Sequence, residues 1–234
     1  MMNHQKFLKA LEFSFKAYKE HGARSTAKLK KLHRYFADVL LQIWGDGFQV
    51  YYLGDKALGD KTKEKKIEGK YYDKNVDVTV AKDGVPVFCL GIKFVTSNYQ
   101  QNANNYFENM MGETANIQAS ELPYAQLIIL RQPTPYYKKN TKVPAKWERI
   151  TDHAIKKYSA LIFENRQAHR PLAMATPIVH VDENTMLVGF ADLKGDFSEH
   201  NVSILNGKLS LENLFKEITE YKNYFLSKNN GKFD

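Results

Sequence analysis

The stretch from Asn75 to Val95 constrains the fold more than any other part of the chain. Asn75-Val76-Asp77-Val78-Thr79-Val80-Ala81 is rich in β-branched residues and alternates, the period of a strand with two unlike faces. Asp83-Gly84 follows, a dipeptide suited to the positive φ angles of a two-residue hairpin turn. Val85 to Val95 then runs almost unbroken in apolar residues, as a central strand buried on both faces would. An antiparallel hairpin is the expected product. One charge interrupts its apolar half: Lys93, within Gly91-Ile92-Lys93-Phe94-Val95. An ammonium in a buried strand is unfavourable unless it is paired or used.

The flanks supply layers for this hairpin. Phe7, Leu8, Leu11, Phe15 and Tyr18 fall at helical spacing over residues 3–21, with Gly22 as a stop. Ser25 suits the N-cap of a second helix over 26–44. A strand is expected at 48–53, then a polar, basic connection over 54–70. After the hairpin come a helix at 103–119, a buried strand at 124–130 and a basic loop with Pro133, Pro135, Lys138, Lys139 and Lys142. A helix at 145–163, strands at 176–182 and 186–191 and a helix at 210–227 complete the reading, with Trp44 and Trp147 as packing residues. The expected class is α/β, a central mixed β-sheet flanked by helices. One domain over residues 1–234, with an N-terminal helical segment of about 1–45, fits the length.

Charge and cysteine usage narrow the classes of function. Lys plus Arg number 34 against 26 Asp plus Glu, a formal net charge of +8. The surplus gathers at Lys28, Lys30, Lys31 and Arg34, and again between Lys56 and Lys74, so a polyanionic partner is expected. No apolar run approaches the roughly eighteen residues of a membrane span, and no apolar secretory segment opens the chain. Cys89 is the single cysteine, which excludes an intrachain disulfide; Phe88-Cys89-Leu90 predicts a buried free thiol and a reducing, cytoplasmic setting. The seven histidines are scattered and have no cysteine beside them, against a structural zinc site. Phosphate-cradling GxxxxGK[ST], GxGxxG and nucleophile-elbow GxSxG patterns are lacking.

The chemistry-bearing pair is Asp77 on the first strand and Lys93 on the second. A carboxylate holds a hard divalent cation, and a lysine beside it stabilises the charge that develops on a phosphate under attack. Their separation is even and spans one tight turn, so both side chains can share a face. The second strand leads into Asn98-Tyr99-Gln100-Gln101-Asn102-Ala103-Asn104-Asn105, an amide-rich segment of the type that bonds adenine edges in the major groove.

With these residues in view, the chain resembles a known family. Asp77 followed by Gly91-Ile92-Lys93 is similar to the PD-(D/E)XK nuclease motif. Gln101-Asn102-Ala103 through Gly112-Glu113-Thr114-Ala115-Asn116 resembles, without a gap, the recognition loop and helix of the EcoRI-like type II restriction endonucleases. The likeness covers about residues 70–131. It implies a restriction-endonuclease-like fold that hydrolyses both strands of duplex DNA with Mg²⁺, as a homodimer, at a site containing A·T pairs. It makes Asp77 a metal ligand, Lys93 the catalytic lysine and the Ile92 carbonyl a backbone ligand. Asn102 would read a base, with Ala103 close to a base edge.

Gly91 departs from the pattern, because the family carries an acid there. Either the carboxylate has moved to the helix, as Glu113 or Glu108, or an original acid at 91 has been lost, or the chain is a catalytically inactive DNA-binding protein on a nuclease scaffold. Helical periodicity turns Glu113 toward the sheet with Tyr106, Met110 and Ile117 and turns Glu108 away, which favours Glu113 as substitute ligand or lysine partner. Glu68 is a further candidate ligand, though an ordinary surface charge is the expectation there. An RNA-binding protein is the remaining class.

Overall fold

The computed structural model describes residues 3–139, 141, 143–165 and 168–229; Lys142 of the basic loop lies outside them. Helix α1 (His4–His21) begins where the Asn3 side chain accepts the Lys6 N–H at 3.0 Å, and it packs on α2 (Ala27–Trp44). Thr26 holds the cap position of α2, while the Ser25 hydroxyl accepts the Ala27 N–H at 3.2 Å. Strand β1 (Phe48–Tyr52) follows. The supposed connection after it folds into a helical turn, Lys56–Leu58, and a small hairpin of β2 (Lys65–Glu68) and β3 (Asp73–Val76). Strands β4 (Val78–Lys82) and β5 (Val85–Phe94) form the expected hairpin, with Asp83 and Gly84 both at positive φ in its turn.

Helix α3 (Tyr99–Gln118) and strand β6 (Tyr124–Arg131) complete a parallel crossover from β5. Beyond it come β7 (Thr134–Tyr136), β8 (Lys146–Glu148), α4 (Asp152–Ile162), β9 (Met174–Ala175), β10 (Ile178–Val181), β11 (Val188–Phe190), α5 (Glu199–Asn206) and α6 (Leu211–Asn229). The central sheet runs β1-β4-β5-β6-β10-β11, with β9 also on β6. Its β1-β4, β4-β5 and β10-β11 pairs are antiparallel, and β5-β6, β6-β9 and β6-β10 are parallel. The protein is α/β, with a mixed sheet flanked by helices. Among the described residues no helix is long and apolar enough to cross a membrane.

Strand alternation divides the core. Val78, Val80, Phe88, Leu90, Ile92 and Leu127 pack in one cluster with α1, α2 and α6. On the other face, Ile128 and Leu130 meet Met110 of α3, Tyr158 of α4 and Leu205 of α5. A third cluster, Ile67, Val76, Cys89, Ile117 and Tyr124, joins the small hairpin to the sheet. Each group fully buries several large side chains, and each buried side chain of that kind stabilises the fold by about 1.5–3 kcal/mol.

Several expectations need correction. The strand expected over 75–81 is broken at Asp77, because its carboxylate accepts the Ile92 N–H at 2.6 Å. The helix expected from 103 starts at Tyr99, whose ring is buried and whose hydroxyl meets that of Tyr158 at 3.1 Å. Residues 145–163 are not one helix: β8 comes first, and α4 begins only after the Thr151 hydroxyl caps it. Trp147 therefore lies on a strand, 45% exposed, with the Arg131 guanidinium over its ring. Helix α5 was not expected; Asp152 fixes it by accepting bonds from the Ser198 N–H and the Asn201 side chain.

Candidate active site

The register Val78↔Leu90, extended by one residue, sets Asp77 opposite Gly91, two residues before Lys93 on the same face of β5. Asp77 and Lys93 are both half-buried. Lys93 does not pair with Asp77. Its ammonium donates to Glu113 Oε1 at 2.7 Å, and the Lys74 ammonium of β3 reaches the same oxygen at 2.9 Å. The other Glu113 oxygen accepts from the Tyr124 hydroxyl at 3.4 Å. Burial alone would raise the Glu113 carboxyl, but Lys93 and then Lys74 outweigh it and hold it below the ordinary carboxylate range.

Asn116, one turn beyond Glu113, explains how Lys74 arrives there. Its side-chain oxygen accepts the Tyr71 and Tyr72 N–H groups at 2.9 and 3.2 Å, and its amide donates to the Tyr72 carbonyl at 2.9 Å. The Lys70 N–H bonds the Asn116 carbonyl at 2.9 Å. Glu113-Thr114-Ala115-Asn116 thus clamps the β2-β3 hairpin onto α3 and turns β3 toward Lys93.

At Gly91, where the resemblance led to the expectation of an acid, the packing leaves no room for a side chain. A Cβ at Gly91 would lie 2.1 Å from the Tyr124 hydroxyl and 3.0 Å from Gln126 Oε1. The phenol stands where a longer side chain would begin, and it carries the hydrogen bond to Glu113. Burial, followed by the neighbouring Glu113 and Asp77 carboxylates, pushes the Tyr124 phenol well above its ordinary value.

Asp77 faces a second group as well. One ligand atom each from His33, Glu64 and Asp77 lies within 4.8 Å of the others, an arrangement that can hold a metal ion. His33 is fully buried on α2, and neither ring nitrogen has a hydrogen-bond partner among the described residues. Its Nδ1 stands 3.8 Å from Glu64 Oε1. Burial lowers the His33 pKa against the opposing effect of Asp77, so the imidazole is neutral at neutral pH. Burial and then Asp77 raise Glu64. The connection that delivers Glu64 is held against α2 by Lys30–Asp55 at 3.4 Å and Arg34–Asp60 at 3.3 Å. Part of the basic face expected on α2 is therefore neutralised within the chain.

Of the other expected residues, Ile92 gives its N–H to Asp77. Its carbonyl shares that edge of the strand, since Cys89 and Val95, of opposite parity, give their N–H groups toward β6. Glu108 is exposed on α3, away from the cluster, and Glu68 is exposed on β2; Glu64, not Glu68, stands beside Asp77. His33 and Glu64 were missed. His33 sits between Leu32 and the aromatic pair Tyr35-Phe36, where it reads as a core residue. The available signal was the series Lys30, His33, Arg34 facing Asp55, Glu64 and Asp60 across a short connection.

The amide-rich segment is more committed to the fold than its composition implies. Asn98, at φ 52°, exchanges bonds with the Tyr137 N–H and carbonyl, both at 3.0 Å. Gln100 donates to the Arg149 carbonyl at 3.2 Å and Asn102 to the Asn98 carbonyl at 2.9 Å. Lys157 reaches the Ala103 carbonyl at 2.9 Å and Asn104 Oδ1 at 3.4 Å. Tyr99 is a core residue and leaves the set of surface contacts. Gln101 and Asn105 are exposed. A cleft of about 1030 Å³ between α1 and the start of α3 includes Lys19, Lys28, Asn98, Asn102, Tyr106 and Arg131. A second, of about 660 Å³, is walled by Lys61, Lys63, Lys65 and Lys66 and includes Glu64. Comparison with family models, curated proteins and solved structures returns no match to this chain.

Proposed function

We propose that the protein is a divalent-metal-dependent nuclease of the PD-(D/E)XK type, a type II restriction endonuclease that hydrolyses both strands of duplex DNA at a specific site. The observation that carries this reading is the half-buried Lys93 ammonium held at 2.7 Å from Glu113, on the same strand face as the Asp77 position. A lysine in such a strand has no need to be there for packing. The Glu64 carboxylate beside Asp77 borders a lysine-walled cleft, which suits a phosphate backbone. The mixed sheet flanked by helices agrees with a restriction-endonuclease-like fold.

In this reading Glu113 is the partner that positions Lys93, not a metal ligand, because both of its oxygens are already engaged. Lys93 stabilises negative charge on the scissile phosphate from a fixed place. Asp77, anchored by the Ile92 N–H, would hold a divalent cation together with His33 and Glu64, whose donor atoms fit one. A bound divalent cation such as Mg²⁺ supplies the polarisation of the phosphate and a water of lowered pKa. Gln101 and Asn105 are the segment's free amides for base reading, with A·T pairs in the site, and a homodimer brings two such sites to one palindrome.

Gly91 favours a second reading, a DNA-binding protein that does not cut, since the Tyr124 hydroxyl fills the place of the family's acid. Digestion of a fully sequenced plasmid with Mg²⁺ or Mn²⁺, followed by end mapping, separates the two. Discrete fragments with 5′-phosphates support the nuclease; a tight gel shift with intact plasmid supports the binder.

A further inference from the structure

We infer that His33, Glu64 and Asp77 form the metal centre and that its imidazole makes it prefer a borderline first-row cation, represented by Mn²⁺, over Mg²⁺. This deepens the nuclease reading at Asp77 and rests on it only there, because the donor geometry stands without DNA. His33 is fully buried, and neither ring nitrogen has a hydrogen-bond partner among the described residues. Such a group is unfavourable in a core unless something outside the protein's own atoms completes it. Its Nδ1 faces the Glu64 carboxylate at 3.8 Å, and the three donor atoms lie within 4.8 Å of each other. Ligand atoms about 2.1 Å from a common octahedral ion stand about 3 to 4 Å apart, so a small inward movement closes the set.

The donor types decide the preference. Mg²⁺ takes oxygen ligands and keeps its waters, whereas Mn²⁺ accepts carboxylates and gains from an imidazole nitrogen. Three elements supply the ligands: α2, the segment before β2 and the break between β3 and β4. The salt bridges of Lys30 and Arg34 already hold that segment against α2. Of the three ligand residues, Glu64 also lines the lysine-walled cleft.

Electron paramagnetic resonance of the full chain titrated with Mn²⁺, without DNA, tests this. One Mn²⁺ per chain is expected, with a ¹⁴N coupling from a bound imidazole that disappears in His33→Gln. Glu64→Gln, at a partly exposed position that should not disturb folding, weakens Mn²⁺ binding by on the order of tenfold or more, and Mg²⁺ displaces Mn²⁺ only at about tenfold excess or above. Mn²⁺ bound without nitrogen coupling, Glu64→Gln binding as tightly as the parent, or displacement by equimolar Mg²⁺ overturns the inference. A chain that binds Mn²⁺ as expected but leaves every plasmid intact overturns the nuclease reading and keeps this one. A chain that cuts DNA yet shows no nitrogen coupling does the reverse.

Discussion

Lys93 on β5 and Glu113 on α3 meet at 2.7 Å across twenty positions of sequence, and Lys74 of β3 closes on the same carboxylate oxygen at 2.9 Å. Removing that carboxylate charge would leave two ammonium groups facing each other in a partly buried site. Glu113→Gln is therefore expected to lower stability by about 2 kcal/mol. It should also slow DNA cleavage by about a hundredfold, through the loss of a fixed Lys93. Urea denaturation and plasmid nicking rates measure the two effects; parental values in both would contradict the pairing.

The same pairing sets a dependence on acid. Glu113 has a lower pKa folded than unfolded, so the unfolded chain binds the extra proton first. The stability it contributes is fully present above about pH 4.5, the ordinary carboxylate value, and is lost as pH falls through its depressed folded value. Stability measured from pH 7 down to pH 3 should fall less steeply in Glu113→Gln than in the parent. Parallel curves would show that Glu113 does not contribute.

Gly91 is fixed by its neighbour. A Cβ there would stand 2.1 Å from the Tyr124 hydroxyl and 2.9 Å from its ring carbon Cζ, inside the closely packed cluster around Tyr124. Gly91→Glu, the change that would complete the motif the chain resembles, is expected to destabilise by about 1–3 kcal/mol through overpacking and to give no gain in cleavage. A stable Gly91→Glu protein that cuts faster than the parent would show instead that an acid at 91 was lost.

Cys89 gives a probe of the core that is independent of function. The thiol is fully buried, and burial pushes its pKa up to about 12 against a small opposing effect of the Thr79 hydroxyl. A thiol reagent at pH 8 should leave the native protein unmodified and label one site per chain in denaturant. Rapid labelling of the native protein would place Cys89 at the surface.

Much of this architecture is legible in the sequence because it rests on short-range patterns. The alternation through Val76–Val80, the Asp83-Gly84 turn and the apolar run into Phe94 specify the central hairpin, and helical spacing around Leu11 and Phe36 specifies the layer beneath it. Glu113 is recoverable from the helical wheel with Met110 and Ile117. His33 and Glu64 show only as charge complementarity between a helix and a short coil, because their contact is one that no periodicity encodes. Asp77 shows the same limit: its strand pattern continues through it, but the hydrogen bond to Ile92 breaks the strand. The small helix α5 carries its own cap, the Ser198 hydroxyl accepting the Asn201 N–H at 3.4 Å, but it is held by Asp152 of α4, a contact from outside its own segment.

Within the amide-rich segment, the structure separates exposed amides from those bonded within the fold. Gln101→Ala and Asn105→Ala remove exposed amides and should relax discrimination between sites by about 1–3 kcal/mol each with little change in melting. Tyr99→Phe removes the bond to Tyr158 and should lower stability by about 1 kcal/mol while leaving site choice unchanged. Selection from a randomised duplex library, read by sequencing, compares them; an altered preference in Tyr99→Phe alone would contradict the assignment.

The most direct test of the central claim is the rate of conversion of supercoiled plasmid to defined linear fragments by the parent, Asp77→Ala and Lys93→Ala, with Mg²⁺ and with Mn²⁺. The parent is predicted to cut, and each variant is predicted to bind DNA while losing cleavage by a hundredfold or more, on the order expected when charge stabilisation at the phosphate is removed. A parent that cuts with neither cation, or variants that cut at the parental rate, would contradict the account.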